Sequence, residues 1–127
     1  MEESFQDLEL NEEGKPYNIR HRSFCFSKSS IQFVKDAIYE NVFSSLFDQL
    51  IRSATSIGAN LVERKAGVSK NDWKKYLGIA LKSANETKYW LCLIRDTMNV
   101  SNEKIDSLIK EADEISKIIA SIILKSN

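Results

Sequence analysis

Residues 52–67 read RSATSIGANLVERKAG, and this stretch decides the fold. Small side chains dominate its first half, in a place where a buried helix would gain more by carrying large ones. Yet Phe43, Phe47, Leu50, Ala54, Ile57 and Leu61 run through and before it in alternating steps of four and three. That rhythm is a heptad seam, so the segment is a helix with one apolar edge. Gln49, Ser53, Ser56, Asn60 and Glu63 repeat the same steps about 100° further round. The helix therefore has a polar seam beside its core seam, and Gly67 is placed to end it.

The same rhythm recurs along the chain. Phe24, Ile31, Val34 and Ile38 predict a first helix starting near Ser23 and ending near Asn41, with Ser23 or Ser29 as its cap. Ser69 and Asp72 predict the start of a third helix. Its core seam is Trp73, Leu77, Ala80, Ala84, Thr87, Leu91, Ile94 and Met98, and a second seam (Tyr76, Ile79, Ser83, Glu86, Trp90, Leu93) adjoins it. Ser101 opens a fourth helix through Ile105, Leu108, Ala112, Ile115, Ile119 and Ile122. With one proline, four glycines and no alternating strand pattern, this is an all-α chain. Short connections predict an up-down-up-down four-helix bundle. The surplus apolar residues of helices three and four, such as Ile109, Ile118 and Ile123, predict self-association.

With 127 residues the chain fits one domain, expected over 20–127 behind an acidic tail at 1–19. Residues 1–13 carry six acidic groups and no Lys or Arg, which predicts an unanchored segment. The formal charge of zero then hides a basic body, since 18 basic residues face 12 acidic ones beyond residue 13. No apolar run approaches the roughly 20 residues that span a bilayer, and the acidic start is unlike a secretory leader. A cytoplasmic protein without membrane partners is the expectation.

Chemistry is sparse. Cys25 and Cys92 match no metal or redox spacing and are expected as small buried hydrophobes. His21 is expected at the surface. No phosphate loop, zinc pair, dinucleotide fingerprint or Glu-x-x-His pair is present, so neither enzyme activity nor a cofactor is expected. Glu63 or Glu86 as a base has no second catalytic partner.

Two polar features remain. Folding back at Gly67 brings Arg52 near the level of Ser83 and Glu86, so an Arg52–Glu86 pair is expected within the seam. The seam reads first as a close helix contact, with a binding groove as the alternative. The other feature is the basic run Arg64, Lys65, Lys70, Lys74, Lys75, Lys82 and Lys88. Such a run is usually a solvated face, but a ring of subunits would multiply it into a phosphate-binding surface.

Residues 49–91, QLIRSATSIGANLVERKAGVSKNDWKKYLGIALKSANETKYWL, resemble the bacterial four helix bundle protein family, also called the 23S rRNA intervening-sequence (S23) family. The family pattern is matched at Gln49, Arg52, Ser53, Thr55, Ser56, Asn60, Glu63, Ser69, Lys70, Asp72, Ile79, Ala80, Glu86, Thr87, Tyr89 and Trp90. Trp73 stands where Phe is usual, the NVFSSLFD connection is longer, and Arg64 and Lys65 replace small or apolar residues. The resemblance implies a left-handed bundle, a ring-shaped homopentamer and no known enzymatic activity. A distant relative, the accessory protein of diversity-generating retroelements, works with a reverse transcriptase and binds nucleic acid. RNA, DNA or such a protein are thus the partners implied, besides the chain itself.

Overall fold

The computed structural model describes residues 18–66, 69–98 and 102–126, with the side chains of residues 64–66 and 102 outside that description. Four α-helices follow one another: α1 (Ile19–Asp36), α2 (Ser44–Ala66), α3 (Lys70–Thr97) and α4 (Asn102–Lys125), with a single 3-10 turn at Asn41–Phe43 before α2. There is no strand among the described residues. The acidic segment, Gly67 and the Ser101 cap lie outside the described residues.

Local signals explain the helix ends. The Ser69 side chain accepts a 3.1 Å hydrogen bond from the Asp72 amide, so α3 begins where its capping residues place it. α1 begins earlier than Ser23: Asn18 caps it by accepting from the Arg20 amide at 2.8 Å. It also ends earlier than Asn41, because Ala37 turns extended. Tyr39 then stacks on Phe47 with ring centroids 3.9 Å apart, pinning the connection to α2.

The core seams of the last three helices are as their spacing requires. Phe47, Leu50, Ala54, Ile57 and Leu61 of α2 are buried with Leu77, Ala80, Ala84, Leu91 and Ile94 of α3, and with Ile105, Leu108, Ala112, Ile115 and Ile119 of α4. Phe43, expected as the first residue of the α2 seam, is exposed instead, because it lies in the 3-10 turn before the helix begins.

α1 differs. Phe24, Ile31 and Ile38 face outward, and the buried side is Ser23, Phe26, Ser30 and Phe33. Those four also step by three and four, but two of them are serines. Their hydroxyls are buried without a hydrogen-bond partner, and small size is what the position selects. A Cβ added at Gly58 of α2 would lie 3.6 Å from the Ser23 Cβ, which is ordinary contact, so the two helices are already close there.

Uncovered apolar surface extends beyond the helices expected: Ile109, Ile118, Ile122 and Ile123 of α4 are half-buried and Tyr89 of α3 and Leu124 of α4 exposed, but so are Phe24, Ile31, Ile38, Val42 and Val62 on α1, its connection and α2. His21 is buried rather than superficial, and both cysteines are free and only half-buried.

Gly78 lies mid-helix on the outer face of α3, and a Cβ there would meet nothing within 4 Å. Removing the glycine entropy penalty without a steric cost should help. Gly78→Ala is expected to raise stability by about 0.5–1 kcal/mol, read as a higher thermal midpoint.

Candidate functional site

The polar seam of α2 meets α3 through hydroxyls. Asn60 Nδ2 donates to the Ser56 carbonyl at 2.8 Å and to Ser56 Oγ at 3.0 Å. Ser83 Oγ donates to Ser56 Oγ at 2.9 Å across the two helices. One turn along, the Thr87 hydroxyl reaches both the Ser83 carbonyl at 2.7 Å and Ser53 Oγ at 2.9 Å. Thr87 has one proton, for the Ser83 carbonyl, so Ser53 Oγ, also 3.2 Å from the Leu50 carbonyl, shares its own between that carbonyl and Thr87 Oγ1. The result is a short ladder of neutral groups between two backbones, with Ser53, Ser83 and Thr87 buried. None of its buried hydroxyl oxygens lacks a partner, which suits a close contact better than a ligand.

The rest of the seam does not join that ladder. Gln49 and Glu63 are exposed. Arg52 does not reach Glu86: it pairs with Asp48, one turn back in its own helix, at 3.1 Å. An acid four residues before a base is the favourable order on a helix surface, and it costs less side-chain entropy than reaching across. Glu86 accepts instead from Trp90 Nε1 at 3.4 Å, within α3. Among the described residues neither Glu63 nor Glu86 is paired with a titratable partner, and no group of three or more His, Cys, Asp or Glu could hold a metal ion. Ser83 and Thr87 were legible only as seam residues; a Thr amid apolar seam positions was the signal for a cross-helix hydroxyl.

Charge is organised around α4. Arg22 of α1 forms a two-pronged pair with Glu111, both contacts at 2.7 Å, and lies 3.4 Å from Glu114. The bonded Glu111 carboxylate raises the Arg22 pKa above its ordinary value. Lys117 and then Lys88 hold the Asp113 carboxyl below the usual carboxylate range. Lys88 pairs with Asp113 at 3.2 Å, which removes it from the basic run.

Of the exposed lysines that remain in that run, only Lys75 and Lys82 share one face of α3. Lys70, Lys75 and Lys82 are exposed and form no ion pair with a described acid. Asn71, Asn85 and Tyr89 are exposed on the same helix, and at steps of three, four and seven they share a face with Lys75, Gly78 and Lys82. Lys74 is half-buried and already has an interaction of its own. The side chains of Arg64 and Lys65 lie outside the described residues.

Apolar seams, a self-satisfied hydroxyl ladder and surface ion pairs together define a helical-bundle protein. Within that class the chain belongs to the 23S rRNA-intervening sequence protein family, whose model matches residues 15–121. A solved structure from Bacteroides thetaiotaomicron, a protein of unknown function from the S23 ribosomal protein family, is 34% identical with a TM-score of 0.74. The match covers 84% of this chain and 98% of that one. No curated protein matches the sequence. Among the described residues, no helix is long and apolar enough to cross a membrane.

Proposed function

We propose that this chain is a cytoplasmic, non-enzymatic scaffold that binds nucleic acid along the outward face of α3. In this reading the helices run up-down-up-down with a left-handed twist and assemble as the pentameric ring that the family implies. The observation that carries the reading is the pair Lys75 and Lys82, seven residues apart on one face of α3, with Lys70 at the helix start; all three are exposed and none pairs with a described acid. Three point charges on one protomer hold phosphate weakly. Repeated round a ring they would release counterions together, and affinity would fall steeply with salt.

Self-association is supported by Ile38 and Val42, 94% and 73% exposed on the connection before α2. Those two residues also favour the second reading, an assembly module that recognises protein and has no nucleic-acid role.

Fluorescence anisotropy with labelled RNA and DNA separates the two readings, with sedimentation velocity on the same samples reporting the assembly. Binding at about 50 mM salt should weaken at least about tenfold by about 200 mM. The full-length double variant Lys75→Glu/Lys82→Glu should lose it at both. Absence of binding by the wild type at low salt removes the nucleic-acid reading and leaves the assembly module.

A further inference from the structure

Between α1 and α2 lies an open groove of about 450 Å³. Phe24 and Ile31 form one wall and Val62 the other, over Gly58 and Ala59, so its lining is predominantly apolar. Arg20 and Lys28 stand on its rim. Neither forms an ion pair with a described acid, and the Lys28 ammonium sits 5.9 Å from the Phe24 ring centroid. A groove of this kind fits a short segment that combines apolar side chains with carboxylates.

The chain carries such a segment at its own amino terminus. Residues 5–13 read FQDLELNEE: Phe5, Leu8 and Leu10 are interleaved with Asp7, Glu9, Glu12 and Glu13. We propose that this segment docks in the groove of its own chain, with Leu8 and Leu10 at the Val62 end, Phe5 toward Ile31 and the carboxylates toward Arg20 and Lys28. It goes beyond the nucleic-acid reading and does not depend on it.

Connectivity favours this occupant. The segment joins α1 at Asn18, two residues before Arg20, through Gly14-Lys15-Pro16-Tyr17. Gly and Pro are the residues that reverse a chain most readily. From Asn18 to Ile31 the helix rises about 20 Å. The same number of residues back from Asn18 reaches Phe5 and can span about 43 Å when extended, so the segment can turn and still run the length of the groove. Tethering beside its site also gives it a millimolar-scale effective concentration, against which a free peptide competes poorly.

Hydrogen exchange by mass spectrometry on the full-length protein tests this. In the wild type the peptide covering residues 5–13 should exchange at least about tenfold more slowly than an unstructured chain. Val62→Asp, Arg20→Glu/Lys28→Glu and Leu8→Ser/Leu10→Ser should each abolish that protection while core peptides of α3 stay protected. The last variant leaves the bundle untouched, so a misfolded groove variant does not remove the test. Unprotected exchange in the wild type, or protection that survives all three variants, overturns the proposal. A second arm fixes the occupant: in a Cys25→Ser/Cys92→Ser background, Leu8→Cys with Val62→Cys should form its disulfide within one chain. A disulfide-linked dimer, or no bond, overturns docking in the chain's own groove.

Discussion

Ile57→Ala is expected to lower the unfolding free energy by about 2–5 kcal/mol, the largest single loss among the substitutions considered. Ile57 is wholly buried in the α2 seam, within the one apolar cluster to which all four helices contribute. Truncation removes apolar area from the core and leaves a void, because the neighbouring helices are fixed by their own contacts and relax only in part. Leu124→Ala provides the contrast: that leucine is 73% exposed near the end of α4, and its loss should stay within about 0.5 kcal/mol. Urea titrations of both variants check the pair, with the midpoint of Ile57→Ala moving and its slope unchanged. Equal effects would mean that the alternating seam does not mark the core.

How far the sequence reaches can be judged helix by helix. For α2, α3 and α4 the buried positions follow the three-four rhythm, because those seams are built mostly of Leu, Ile and Ala, and apolar periodicity is the quantity that burial selects. α1 escapes that logic. Two stripes at helical spacing compete on it, Phe24-Ile31-Val34-Ile38 and Ser23-Phe26-Ser30-Phe33. Hydropathy favours the first, while close approach to α2 requires the small residues of the second. A serine chosen for its size looks polar to any reading of hydropathy.

The candidate site divides in the same way. Ser53, Ser56 and Asn60 could be placed together because a helix fixes their relative positions. Their partners Ser83 and Thr87 depend on the register between two helices, which local sequence does not encode. Arg52 shows the converse: a local acid, Asp48, takes the side chain before the distant one can. Arg22 with Glu111, 89 positions apart, is a pairing that exists only once α1 and α4 are side by side.

Ser53→Leu is the second large effect, and it tests why RSATSIGAN is built small. The Ser53 side chain is buried where α2 faces α3, 2.9 Å from the Thr87 hydroxyl, so a leucine has nowhere to go without separating the helices. Overpacking of this kind costs about 1–3 kcal/mol. The Thr87 hydroxyl would keep its bond to the Ser83 carbonyl but face hydrocarbon on its other side, so the total should lie toward the upper end of that range. Ser53→Ala removes the same hydroxyl without adding volume and should cost only about 1 kcal/mol, the net worth of one hydrogen bond. Thermal and urea unfolding of the two variants therefore separate size from polarity. If alanine proves as damaging as leucine, the ladder's hydrogen bonds hold α2 to α3. If leucine alone is damaging, the small residues are there to let two backbones meet, and the serine hydroxyls follow from burying small polar groups in pairs.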